Sequence, residues 1–233
     1  ELEKRKNPWS VDVRDYQLFM KKLRNKYPGK TIRYFHCGEY GENAGRPHYH
    51  ACLFGFDFED KKLWSIKNGN RLYTSSILEE LWPYGFSTIG EVTFQSAAYV
   101  ARYIMKKVTG EQAEGHYQVD QEETGEISTI NPEYTTMSRR PGIGSTWLQK
   151  FHQDVYPSDS VVIDGKQMKP PKYYDKQIAE FKPFEFEHIQ DLRKIKAMKY
   201  SEHGTDERLR VREKLQQRKL EKLKRSHDEI QDI

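Results

Sequence analysis

The chain has 233 residues, of which 36% are hydrophobic and 32% charged, with a formal net charge of +4. That length suits one sizeable domain, or one domain with an appendage, and the low apolar share places part of the chain in exposed helix or tail rather than in core. No apolar run approaches the length of a membrane span, so no membrane partner is expected.

Global charge says little about nucleic acid, but its distribution says more. Between Asp191 and Arg225 there are 13 Lys and Arg against 6 Asp and Glu, a basic excess concentrated toward the C-terminal end. Aromatic residues make up 13% of the chain, with 15 Tyr. Mixed with Lys and Arg they suit stacking on unpaired bases, and equally an ordinary core. The two cysteines, Cys37 and Cys52, read as free thiols of a reducing compartment.

In chain order, residues 1–12 are polar and irregular. Asp12 or Asp15 caps a helix to about Lys26, whose stripe is Tyr16, Phe19, Met20 and Leu23. Pro28-Gly29 ends it. "TIRYFHCG" (31–38) and "HYHACLFGF" (48–56) read as strands, joined by the glycine-rich turn "EYGENAGRP" into a hairpin. "SSILEELW" (75–82) reads as a short helix capped by Ser75 or Ser76, and "GFSTIGEVTF" (85–94) as a third strand. "SAAYVARYIMKKV" (96–108) reads as a strong helix capped by Ser96. Residues 109–134 read as a flexible insertion, 137–151 as a loop entering a short helix, 156–185 as an extended connector, and about 187–230 as a charged helical stretch.

Two places carry chemistry. His48 and His50 flank Tyr49, and in a strand residues i and i+2 share a face, so two imidazoles lie side by side as nitrogen donors for one divalent ion. Alone, the tripeptide favours two surface histidines on a half-buried strand. A third ligand shifts the balance: Glu39 ends the preceding strand and reaches the same face if the strands pair, with Glu42 as the nearby rival and His36 a weaker one. Two imidazoles and a carboxylate suit Mg²⁺ or Mn²⁺ as a Lewis acid on a phosphate. Zinc stays open because Cys52 follows His50 by two.

Tyr99 and Tyr103 are four apart on the strong helix, hence on one face, with Lys106 and Lys107 in the next turn. Such a pair is commonly core with exposed hydroxyls. As nucleophiles, phenols with a pKa of about 10 need activation and a polarised phosphate. A metal at His48 and His50 polarises the phosphate, a lysine stabilises charge at the cut, and two tyrosines on one face allow two successive transfers.

"RPHYHACLFG" followed by "AAYVARYIMKK" resembles the HUH endonuclease superfamily, and "CGEYGENAGRPHYHACLFGFDF" with "SAAYVARYIMKKVTG" resembles the replication initiators of the Microviridae, in particular their gokushovirus branch. The resemblance covers roughly residues 12–150. It implies an α+β fold: a five-stranded antiparallel sheet with packed helices, to which this chain adds a C-terminal charged helix. The family's opening hydrophobic strand has no counterpart before Val13, so the resemblance implies a sheet lacking its first strand.

The implied domains are a nicking endonuclease over 1–155, the connector 156–185 and the charged helical tail 186–233. The implied site is His48, His50 and Glu39 for the metal, Tyr99 and Tyr103 as nucleophiles, and Lys106 and Lys107 as trailing lysines. The implied reaction leaves a 5′-phosphotyrosine and a free 3′-OH primer for rolling-circle replication, followed by rejoining of the displaced strand. The implied partners are single-stranded DNA at a phage origin and a host helicase with other replication proteins, in the cytoplasm of the bacterial host, since no GxxxxGK[ST] loop is present.

Outside the two motifs, Arg139 and Arg140 of "SRRPGIG" read as contacts to DNA phosphates or as a surface turn. Trp147 reads as a buried anchor, with a stacking platform as the alternative. The competing readings of the whole are a relaxase or transposase of the same superfamily, or a non-catalytic DNA-binding module gripping phosphates through the basic 191–225 helix. A coiled-coil structural protein is disfavoured because Leu209, Val211, Leu215, Leu220 and Leu223 keep no clean heptad.

Overall fold

A computed structural model describes residues 8–41, 45–103, 107–120 and 127–221. They fall into two compact units divided between Ser138 and Arg139. The fold is α+β with small antiparallel sheets.

The first unit is built on a three-stranded sheet. Strand β1 (Arg33–Tyr40) lies in the middle, with β2 (Pro47–Phe54) on one side and a strand over Tyr134–Met137 on the other. Helix α1 (Val13–Lys26) starts where the Asp12 carboxylate accepts the Arg14 N–H. Tyr16, Phe19, Met20 and Leu23 recur at helical spacing, and all four are buried. They pack with Ile32, Phe58 and two leucines of helix α2 (Ser76–Leu81) into one core, with Tyr34 and Leu53 against it. Complete burial of a side chain such as Leu23 contributes about 1.5–3 kcal/mol. Ser75 caps α2 and donates in turn to Asp60 at 2.5 Å.

A hairpin of β3 (Lys62–Lys67) and β4 (Asn70–Thr74) precedes α2. Its turn is Asn68-Gly69, both with positive φ (50° and 79°), the combination that a tight hairpin turn needs. Residues 85–94 do not form the third strand read from the sequence. Only Ile89 bridges, exchanging backbone hydrogen bonds of 2.9 and 2.8 Å with Tyr73. The residues after it are taken up by the next helix: Thr93 is its N-cap, and the Ser96 hydroxyl donates back to the Glu91 carbonyl at 2.9 Å. That helix, α3 (Phe94–Arg102), begins earlier and ends sooner than the span 96–108, and Ser96 is the third residue of a capping box rather than the cap itself.

The stretch 109–134 is not a featureless insertion among its described residues. It holds α4 (Gln112–His116) and an antiparallel pair, β5 (Gln118–Asp120) with β6 (Ile127–Thr129). The strand over Tyr134–Met137, here β7, pairs with β1 from Phe35 to Gly38.

The second unit begins with α5 (Ser145–Phe151). The expected extended connector over 156–185 is instead a hairpin, β8 (Val161–Ile163) with β9 (Lys166–Met168), and a helix, α6 (Lys172–Phe181). The hairpin turns at Asp164-Gly165, again with both φ positive. The charged stretch after it is broken: α7 (Pro183–Met198) and α8 (Asp206–Glu221) are separated by a short 3₁₀ turn at Ser201–Gly204. Helix α7 is anchored rather than a free tail. Ile189 is buried with Leu148, Val155, Tyr156 and Ile178, and Arg193 reaches both Asp159 and Asp175. Those two carboxylates hold the Arg193 guanidinium well above its ordinary pKa.

Candidate active site

Alternation along β1 and its register with β2 sort the side chains of the sheet onto two faces. The pairs Phe35–Cys52, Cys37–His50 and Glu39–His48 lie directly opposite one another, so all six belong to one face. The pairs Tyr34–Leu53, His36–Ala51 and Gly38–Tyr49 belong to the other.

Helix α3 covers the first face. Val100, Tyr103, Cys37 and Cys52 form its buried cluster, with Tyr99 and Ala97 packed against it. The Cys37 thiol donates to the Val100 carbonyl at 3.7 Å, and burial pushes the Cys52 thiol up. Both sulfurs are thus core atoms, packed under α3.

The Glu39 carboxylate is 1% exposed and lies 3.0 Å from His50 Nε2. The Tyr103 ring stacks on the His50 ring at 4.4 Å and 13°, and the Tyr99 ring meets it edge-on at 6.2 Å. The Tyr103 hydroxyl donates to the Tyr99 hydroxyl. Tyr103, 4% exposed, is the C-cap of α3, whereas Tyr99 is half-buried. Carboxylate, imidazole and two phenols thus form one connected group.

His48 shares the strand face, with its ring 6.5 Å from that of His50. It is turned toward the hairpin loop, where a Cβ on Gly41 would come within 2.6 Å of its Cε1. Gly41 is therefore the space that His48 occupies. Among the described residues no three metal-ligating side chains converge. The donor set of one carboxyl group and two imidazoles still fits a divalent ion that prefers oxygen and nitrogen, and the buried Glu39 side chain has the His50 ring beside it.

His36, the weaker rival for that set, is on the opposite face. Its ring stacks on Tyr16 at 3.4 Å and faces Tyr49 at 5.9 Å, and its Nδ1 pairs with the Thr136 hydroxyl at 3.2 Å. Burial, with a smaller contribution from His50, lowers its pKa to about 3. It is a neutral core residue. Glu42 and Lys106 lie outside the described residues. Lys107 is exposed in irregular backbone past the end of α3, not in a further turn of it. Arg139 and Arg140 are exposed residues of the second unit.

One contact that sequence reasoning missed fastens the chain beyond α3. The Val108 N–H donates to the Tyr117 hydroxyl at 2.9 Å, which donates to the buried Glu133 carboxylate at 2.6 Å. Burial and the hydrogen bond to Glu133 push the Tyr117 phenol up to about 12. An aromatic residue inside a polar stretch was the available signal.

Residues 2–108, which hold α1, the β1–β2 hairpin and α3, match the family model of the replication-associated protein ORF2. The chain is 32% identical over 169 residues to "Replication-associated protein VP4" of Bdellovibrio phage phiMH2K, covering 69% of this chain and 50% of that one. It is 34% identical over 168 residues to "Replication-associated protein ORF2" of Spiroplasma virus 4, covering 69% and 48%. Over about two thirds of its length the chain is similar to phage replication-associated proteins. A third relative, "Replication-associated protein ORF4" of Chlamydia phage 1, is 26% identical over 196 residues, or 79% of this chain and 46% of that one. The chain spans about half the length of the curated relatives it matches. No solved structure matches. Among the described residues, no helix is long and apolar enough to cross a membrane.

Proposed function

We propose that this chain is the nicking part of a rolling-circle replication initiator, cutting single-stranded phage DNA by tyrosine attack in the cytoplasm of the bacterial host. The observation that carries the reading is the connected group of Glu39, His50, Tyr103 and Tyr99 under α3. A structural pair of helical tyrosines does not need a buried carboxylate and an imidazole beneath it. The match of residues 2–108 to a replication-associated family supports the same reading.

Glu39, His50 and His48 would hold Mg²⁺ or Mn²⁺, which would supply Lewis-acid polarisation of the scissile phosphate. The two tyrosines differ in burial: Tyr103 is 4% exposed at the end of α3, whereas Tyr99 is half-buried and the more accessible of the two. The first attack is therefore assigned to Tyr99. Its oxygen forms a bond to phosphorus, the bond from phosphorus to the 3′ oxygen breaks, the phenol proton leaves to solvent, and the departing 3′ oxygen takes up a proton. The products are a 5′-phosphotyrosine and a 3′-OH that primes synthesis. Tyr103 serves the second transfer, which frees and rejoins the displaced strand. Lys106 and Lys107 stabilise charge at the cut, and a host helicase supplies unwinding.

The test is a denaturing gel that detects protein covalently joined to labelled single-stranded DNA with Mn²⁺ or Mg²⁺. The parent is run beside Tyr99→Phe, Tyr103→Phe, the double variant and an EDTA control. A metal-dependent adduct that Tyr99→Phe sharply reduces and the double variant abolishes is expected. An adduct that survives in the double variant rejects tyrosine attack, and binding without any adduct points to a non-catalytic DNA-binding module.

A further inference from the structure

The aromatic side chains of the second unit do not all enter its core. Leu148 of α5 is fully buried, yet Trp147 and Phe151 on the same helix are 42% and 38% exposed. Trp147 is thus not the buried anchor read from the sequence. Its ring lies 5.6 Å from that of Phe151, four residues on, and 6.1 Å from that of Tyr174 on α6, nearly parallel at 19°. Tyr173 continues the row at 6.4 Å.

Basic residues follow the chain at both ends of the row. The Tyr173 hydroxyl accepts the Gly142 N–H at 3.0 Å, and a Cβ on Gly142 would come within 2.4 Å of that ring. Gly142 pairs in turn with Arg139, next to Arg140. At the other end, Lys150 Nζ stands 5.1 Å from the Phe151 ring centre. Arg139, Arg140 and Lys150 are all exposed.

We propose that this row is a binding track for single-stranded DNA, carried wholly by the second unit. Bases stack on Trp147 and Phe151, and phosphates are held by Arg139, Arg140 and Lys150. Exposed rings bracketed by cations match a strand that alternates flat apolar bases with anionic phosphates. A duplex keeps its base faces stacked inside and offers nothing to these rings. With ring faces and cations as the recognising groups, the track tolerates any base sequence. The choice of DNA over RNA rests on the proposed nicking function; the track itself does not.

The test uses the full chain and a labelled oligothymidine, read by fluorescence anisotropy in EDTA so that binding is followed without cutting. Trp147→Ala and Phe151→Ala should each weaken binding by about tenfold. Trp147→Phe should keep most of the affinity. Arg140→Gln/Lys150→Gln should reduce the salt slope by about one unit per cation removed, a readout that does not depend on how the ring variants fold. Parent affinity in the ring variants together with an unchanged salt slope in the charge variant overturns the track. Equal competition by duplex also overturns it, and no binding by any form does so in favour of a protein-docking surface. Adduct formation by the parent with ring-independent binding sinks the track alone, and ring-dependent binding without any adduct sinks the nicking reading alone.

Discussion

Strand β1 carries a titratable side chain on each face, and the two have opposite fates. Under α1, His36 is stacked against Tyr16, bonded to Thr136 and kept neutral. Under α3, Glu39 keeps its carboxylate against His50, which in turn touches both tyrosines. They stand three positions apart in sequence, and the pleat alone decides which belongs to the core and which to chemistry. Counting potential ligands along a strand therefore misleads unless parity is counted too.

Variants of the two faces should separate most sharply in cutting. Glu39→Ala or His50→Ala should lower adduct formation by at least about 100-fold, whereas His36→Phe, which keeps an aromatic ring in the stack, should cut like the parent. Equal loss from both faces would erase the distinction. The next effect is one of pH. Folded His36 stays neutral down to about pH 3, while in the unfolded chain it takes up a proton near its ordinary value. Its contribution is complete above about pH 6.5 and is lost as pH falls toward 3, by about 1.4 kcal/mol per pH unit. Denaturant melts at stepped pH should show that slope in the parent and a shallower one in His36→Phe.

A smaller change is expected from Tyr117→Phe, which leaves the Glu133 carboxylate and the Val108 N–H without their shared partner. It should destabilise the first unit by about 1–3 kcal/mol and lower adduct formation less than any change on the α3 face. A larger loss of cutting than of stability would make Tyr117 a positioning residue of the tyrosine helix. The smallest effect belongs to Thr93→Ala, which removes the hydroxyl capping α3. It should cost about 1 kcal/mol by thermal melting with the adduct retained.

The elements with strong periodicity were legible in advance. The stripe of α1, the β1–β2 hairpin and a serine cap at 75 or 76 follow from local residues, and the matching parity of Glu39, His48 and His50 follows once the strands pair. What escaped depended on partners distant in sequence or on turn chemistry passed over. Asn68-Gly69 and Asp164-Gly165 each mark a hairpin, one unassigned and one read as extended connector. The stretch 85–94 had, among the described residues, no strand to pair beyond the bridge at Ile89. Tyr117 and Ile130 gave 109–134 a buried side that its polar average concealed. The contact between Tyr99 and Tyr103 follows from helical spacing, but the difference in their burial requires the sheet beneath them.

Among the described residues β2 pairs with β1 alone, so every second residue along it turns its peptide groups away from any neighbouring strand. The two histidines therefore ride on a rim that is tethered along one side. Rims fray at low cost, and whatever His48 and His50 come to hold would act as the missing tether. Deuterium uptake along 47–54 is then the quantity most sensitive to occupancy, slowing before any change reaches the interior strand.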